Sequence, residues 1–267
     1  MIRNRRLVSL FLGLCTTAAV AFAGESAPPQ AERAKSAIPQ TAPAPEIATR
    51  EAVCHWADHP PVLDGKLDDP CWKAAKPIDR FASFWTKTPR QGTTAYLVWD
   101  AAALYYAARM TDLELRSFGS KRNDILWNGD VFELFFKPNA QAPAYYEFQA
   151  NPRELVFELA FPERGHNHGD IARTPPLGSK VAVSLEGTLD HPGDQDAAWI
   201  VEGRIPWTAF APTGGKPSPG DEWRFALCRY DYGPDGTKPV LSSSAPLTKP
   251  SFHRHEDYGL LKFAGAK

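Results

Sequence analysis

Val131-Phe132-Glu133-Leu134-Phe135-Phe136-Lys137, then Tyr145-Tyr146-Glu147-Phe148-Gln149-Ala150-Asn151, then Leu155-Val156-Phe157-Glu158-Leu159-Ala160-Phe161 form the stretch that decides the fold class. Large apolar residues recur there at period 2, the spacing of side chains that alternate across a pleated strand, and no 3.6-residue period is present. In 145–151, Tyr146, Phe148 and Ala150 make an apolar face, while Glu147, Gln149 and Asn151 make a polar one. In 155–161, Leu155, Phe157, Leu159 and Phe161 read as facing inward, and Glu154 and Glu158 as facing outward. The run 131–137 is apolar on both parities apart from Glu133, the pattern of a central strand covered on both faces. A carboxylate in that setting requires a partner. Arg109, Arg204 and Arg229 are candidates within the protein, and a ligand is the alternative; periodicity leaves both open.

Working outward, similar runs occupy Thr93 to Trp99, Leu104 to Met110, Val181 to Leu185, Trp199 to Ile205, Trp223 to Tyr230 and Leu260 to Phe263. Turn signals separate them, among them Asp64-Gly65, Asn128-Gly129, Asn151-Pro152, Gly214-Gly215 and Pro234-Asp235-Gly236. Only Pro206-Trp207-Thr208-Ala209-Phe210 has the form of a single helical turn. The expected fold is all-β, an antiparallel β-sandwich of jelly-roll type with one short helical turn, spanning residues 51–267.

Composition agrees. Of 267 residues, 43% are hydrophobic, 12% aromatic and 23% charged, which excludes a disordered, fibrous or multi-span membrane chain. A net charge of −1 supplies no field to hold a polyanion, so nucleic acid is excluded as an expected partner. With 8 Trp and 25 Pro beside 2 Met, the chain favours pleated surfaces and turns over helices.

The N-terminal stretch reads as an export signal. Arg3, Arg5 and Arg6 precede the apolar run Leu7 to Leu14, too short to span a bilayer, and Ala21-Phe22-Ala23 offers small residues for cleavage. Removing three Arg from 30 basic residues leaves 27 against 31 acidic, a net of −4, and places the mature chain in the periplasm or outside the cell. Residues 24–50 are Ala, Pro, Gln and Glu with almost no large apolar side chain, the composition of a disordered tether.

Cys54, Cys71 and Cys228 remain after processing. In an oxidising compartment Cys54 and Cys71 can pair across a short loop, and Cys228, within Arg224-Phe225-Ala226-Leu227-Cys228, is expected as a buried thiol. Two His and an Asp share the loop His166-Asn167-His168-Gly169-Asp170, where a solvated loop is expected over a metal site. Asp64, Asp68 and Asp69 could offer oxygens to calcium, but a plain turn explains them as well. Carboxylate pairs for glycoside hydrolysis could be drawn from Glu133 with Glu147, Asp130 or Asp231. No Gly-x-Ser-x-Gly, Walker or His-Glu-x-x-His motif points to another enzyme class.

Five segments, in order, resemble the family 9 carbohydrate-binding module and its DOMON-like relatives. They are Val62-Leu63-Asp64-Gly65-Lys66-Leu67-Asp68-Asp69 with Trp72, Trp127-Asn128-Gly129-Asp130-Val131-Phe132-Glu133, the strand from Tyr145 to Pro152, Ile205-Pro206-Trp207, and Ser251 to Gly259. The resemblance implies a β-sandwich that binds a polysaccharide or oligosaccharide without cleaving it, accompanies glycoside hydrolases, requires no cofactor and often carries structural calcium. It implies sugar contact from Trp127 and Glu133, and from the strand positions Gln149, where the family has Arg, and Asn151. Arg229 is a further candidate. The family's second Trp has no counterpart in Leu241-Ser242-Ser243-Ser244-Ala245. The chemistry is coherent: a pyranose packs its C–H face on an indole and presents hydroxyls to carboxylates and amides. Glycoside hydrolysis and haem binding through Met110 are the alternative readings. Of the tryptophans, Trp72, Trp99, Trp207 and Trp223 are expected in the core, and Trp127 at a ligand.

Overall fold

The computed structural model describes residues 48–83, 89–90, 92–165 and 175–265. All belong to one compact unit, residues 44–267. The export signal, most of the tether, Trp85 and the loop from His166 to Asp170 lie outside the described residues.

The strands are β1 (Glu51–Trp56), β2 (Phe81–Ala82), β3 (Pro89–Arg90), β4 (Thr93–Trp99), β5 (Ala103–Thr111), β6 (Val131–Lys137), β7 (Tyr145–Ala150), β8 (Val156–Phe161), β9 (Lys180–Glu186), β10 (Ala198–Pro206), β11 (Glu222–Tyr232), β12 (Pro239–Ser243) and β13 (Gly259–Phe263). Every run read as a strand is one. One sheet runs β1-β4-β5-β10-β9; the other runs β8-β7-β6-β11, and β11 then pairs with β13 along one half and β12 along the other. β1 stitches the two sheets together, pairing with β13 through residues 51–54 and with β4 through residues 55–56. Both pairings of β1 are parallel, a departure from the purely antiparallel expectation. β1 and β13 are the first and last strands, and no hairpin can join them.

Between the sheets lies an aromatic core. Phe132, Leu134, Phe136, Tyr146, Phe148, Phe225 and Leu227 meet Leu97, Trp99, Tyr106, Met110, Trp199 and Val201. Trp99, Trp207, Trp223, Phe210 and Phe263 interlock at centroid separations of 4.8–6.3 Å, edge to face except for the tilted pair Trp207–Phe210, the arrangement that the ring quadrupole favours. Met110 is buried in this core, where it is packing material, and Cys228 is buried as expected. Cys54 and Cys71 are both free thiols, in separate clusters, so the expected pair does not form.

The helical content is small. The expected turn appears as a 3-10 segment, Trp207–Thr213, with Pro206 at its cap; a short helix, α1 (Pro70–Ala74), was not anticipated. α1 follows the Asp64-Gly65 turn, and one carboxylate explains both: Glu202 on β10 accepts hydrogen bonds from Asp64 N (3.1 Å), Gly65 N (2.9 Å) and Trp72 Nε1 (2.6 Å). Gly65 has φ +78, and a Cβ there would meet the Ser184 backbone at 2.8 Å.

The outer face of the second sheet carries its own apolar layer: Val131, Phe135, Tyr145, Phe157, Leu159, Phe161, Ala226 and Cys228, roofed by Phe252 and Tyr258 from the C-terminal segment. This revises the reading of β8. Antiparallel register sets Gln149 opposite Phe157 and Glu147 opposite Leu159, so the polar residues of β7 share a face with the aromatics of β8. Glu158 consequently points toward the interior and is 1% exposed, not outward.

Candidate functional site

Glu133, Glu147 and Gln149 lie on that outer face, on adjacent strands with Glu133 directly opposite Gln149. They floor a cavity of about 400 Å³ whose walls are Trp127, Tyr230, Leu241 and the segment from Pro250 to His253. A volume of this order is that of a small-ligand pocket.

Local structure holds the walls in place. Trp127 sits in a 3-10 turn, Leu126–Asn128, with its ring edge-on to Phe157 at 5.4 Å and its carbonyl accepting from Tyr232 Oη at 2.9 Å. Gly129 lets this turn close against the neighbouring loop, since a Cβ would lie 2.7 Å from Phe118 N. Tyr230 and Phe252 meet at 5.6 Å and 80°. His253 is braced by Tyr145 Oη, 2.9 Å from Nδ1, and by the edge of Phe135.

The floor is short of donors. Gln149 Nε2 donates to Glu147 Oε1 at 2.5 Å, which leaves Gln149 Oε1 and Glu147 Oε2 buried without a hydrogen-bond partner. Glu133 is 3% exposed, and among the described residues it forms no hydrogen bond or ion pair. The nearest approach to an ion pair is His253 Nε2, 4.0 Å from Glu147 Oε2. Burial pushes Glu147 up to about 7, and burial with the neighbouring Glu147 charge pushes Glu133 well above the usual carboxylate range. The arginines expected to neutralise Glu133 are engaged elsewhere: Arg109 with Glu186, Arg204 with the Tyr105 hydroxyl, Arg229 with Asp112 and Asp231.

Two predicted site residues are not brought to this cavity. Arg229 lies on the opposite parity of β11 from Cys228 and Tyr230, and its guanidinium donates to Asp112 Oδ2 (3.1 Å), Asp231 Oδ1 (3.0 Å) and Thr111 O (2.7 Å). Asn151 is fully buried as a turn clamp: Nδ2 donates to Ser117 Oγ and Phe118 O, and Oδ1 accepts from Arg153 N and Leu155 N. Conversely, His253 and Phe252 enter the cavity although neither stood among the expected sugar contacts. Their signal was present in the C-terminal segment, Ser251 to Gly259, but linear spacing carried no hint that it folds over β6 and β7.

Calcium finds poor accommodation at the residues first considered. Asp64 accepts from Lys66 N and Nζ, and Asp69 from Val62 N, so turn amides already use these oxygens. Among the described residues the carboxylates that converge are Asp112, Asp130 and Asp231. Arg229 supplies positive charge there, and both Asp130 oxygens accept backbone amides, from Tyr232 and Arg116. Burial pushes Asp112 up to about 6 and Asp130 up to about 8. The oxygens of all three lie within 4.8 Å of one another, and three carboxylates outnumber the one arginine, so this donor set is of the hard-oxygen type that could hold a cation.

The sequence model of the family described as carbohydrate family 9 binding domain-like matches residues 63–266. Endo-1,4-beta-xylanase A of Thermoanaerobacterium saccharolyticum is 28% identical over 156 residues, covering 58% of this chain and 12% of that enzyme. The chain therefore spans about an eighth of the length of that relative. Two solved structures of a family 9 carbohydrate-binding module from Caldicellulosiruptor kristjanssonii, one with cellotriose and one with glucose, share the fold at TM-score 0.56 and 18% identity. Each covers 81% of this chain, and the match spans 95% and 97% of their own chains.

Proposed function

The chain belongs to the carbohydrate family 9 binding domain-like family, and on that premise we propose that it is an exported, non-catalytic carbohydrate-binding protein whose site is the cavity floored by Glu133, Glu147 and Gln149. The observation that carries this reading is one indole, Trp127, beside a floor of buried acceptors in a cavity of about 400 Å³. The indole offers area to the C–H face of a pyranose, and the acceptors take its hydroxyl protons. With Leu241 on the wall in place of a second indole, the expected Kd is on the order of 0.1–1 mM, about 4–5.5 kcal/mol. Export is supported by Arg3, Arg5 and Arg6 before an apolar run, and no helix among the described residues is long and apolar enough to cross a membrane. Its likeness to a segment of a xylanase supports a role beside glycoside hydrolases.

Isothermal titration with glucose, cellotriose and xylo-oligosaccharides tests the site. Binding that Trp127→Ala weakens at least about tenfold is expected; binding that this substitution leaves unchanged places the sugar elsewhere. One observation favours hydrolysis as a second reading, namely two buried carboxyls lining one cavity, with burial pushing Glu147 up to about 7. That reading requires reducing-sugar release which Glu133→Gln abolishes.

A further inference from the structure

We propose that the sugar this cavity selects carries a protonated amine, its ammonium seated between Glu133, Glu147 and Gln149 under the rings of Tyr230 and Phe252. The inference rests on the carbohydrate-binding reading and adds to it the charge and class of the ligand, a hexosamine.

Charge is the first argument. β6 and β7 set two carboxyls into one cavity. Among the described residues, the only basic side chain within ion-pair distance of either is His253, at 4.0 Å from Glu147. Arg229, one position from Cys228, is committed to the other face of its strand by Asp112 and Asp231. Buried carboxylates without a counter-cation take up a proton or a cationic ligand, and burial pushes Glu147 up to about 7 as the first of these outcomes.

Donor count is the second. Gln149 must turn Nε2 toward the Glu147 carboxylate, so its Oε1 is the face left to the cavity. Among the described residues two buried acceptors then lack donors, Gln149 Oε1 and Glu147 Oε2, and the Glu133 carboxyl lines the same cavity. A hydroxyl brings one donor and needs acceptor partners of its own, whereas an ammonium brings three N–H donors and no acceptor. Tyr230 and Phe252, packed edge to face at 5.6 Å, line the same cavity, and aromatic rings are surroundings that can stabilise an organic cation. Two other buried glutamates are well supplied: Glu202 takes three donors and Glu158 five.

The test is calorimetric titration of the mature chain with glucosamine, glucose and N-acetylglucosamine at about pH 6.5, where the free amine is charged and acetylation removes that charge. Glucosamine is expected to bind about tenfold more tightly than either neutral sugar. Gln149→Arg, which supplies the cation internally, and Glu147→Gln, which removes one carboxylate, should each erase that preference, with folding checked by near-UV circular dichroism. Glucose binding as tightly as glucosamine overturns the amine while leaving a sugar site. Absence of binding by every sugar overturns the carbohydrate reading itself, and the amine with it. A glucosamine preference that survives both substitutions in folded protein places the ammonium elsewhere and overturns the assignment.

Discussion

Two sets of buried glutamates sit on neighbouring strands of the same sandwich and are treated in opposite ways. Glu158 on β8 has a fully buried side chain, yet it collects Leu177 N, Gly178 N, Ser179 N, Ser179 Oγ and Arg122 Nη1. Glu133 and Glu147 are equally buried, and among the described residues the only hydrogen bond to either side chain is from the Gln149 amide to Glu147. Saturation marks a carboxylate whose work is to fasten a loop, here the approach to β9. Glu133 and Glu147 lack such donors among the described residues and line a cavity, the arrangement that the proposed ligand would complete.

The largest expected effect lies on the saturated side. Glu158→Ala strands the amides of 177–179 and the Arg122 guanidinium, and should cost about 3–5 kcal/mol in urea denaturation. A loss below about 1 kcal/mol would erase the contrast between the two sets.

Glu147 provides a pH signature of the starved side. Its folded value, about 7, lies above the ordinary 4.5, so the folded state holds the proton more tightly than the unfolded one. Stability is accordingly full below about pH 4.5 and declines as pH rises to about 7, by on the order of 1–3 kcal/mol. Glu147→Gln should flatten that slope. A denaturation series across this range in which the two proteins run parallel would contradict the assignment.

Trp127→Ala should weaken sugar binding at least about tenfold, about 1.4–2 kcal/mol, read by titration, with a smaller change in stability, because the ring is only partly buried against Phe157. The smallest effect belongs to carboxylate–arginine chemistry at the surface. Arg164 meets Glu256 at 2.5 Å with both side chains 40–48% exposed, and Arg164→Ala should change stability by less than about 1 kcal/mol in the same assay. Geometry as close as that of Arg122 with Glu158, but in water, then yields almost nothing.

Much of the fold was legible because strand periodicity is local. The alternation in 145–151 and the double-sided apolar run of 131–137 each translate directly into a strand and its burial. β1, β2, β3 and β12 were harder, since β2 and β3 are two-residue strands and β1 draws its identity from pairing with both sheets. Parity misled in 155–161, where Phe157, Leu159 and Phe161 are apolar and Glu158 is not. All four are buried, because β8 is covered by the sandwich core on one side and by the C-terminal segment on the other. Period alone distinguishes two faces but does not say which one is wet.

The candidate site divides along the same line. Trp127, Glu133 and Gln149 could be named from the sequence and do line one cavity, while Arg229 and Asn151 could be named equally well and do not. Asn151 is one residue beyond β7 and turns into its own hairpin; Arg229 falls on the far parity of β11.

From the chain of residues alone came the all-β class, the strand positions and the buried Cys228, consequences of short-range alternation and turn chemistry, while the pairing of Trp127 with Glu133 came from the family resemblance. Tertiary structure alone decided that Glu147 and His253 join Glu133, that among the described residues no arginine does, and that Glu158 is an anchor. Those outcomes depend on which strands become neighbours and which face each is given, and a carboxylate's role follows from the donors that distant segments bring to it.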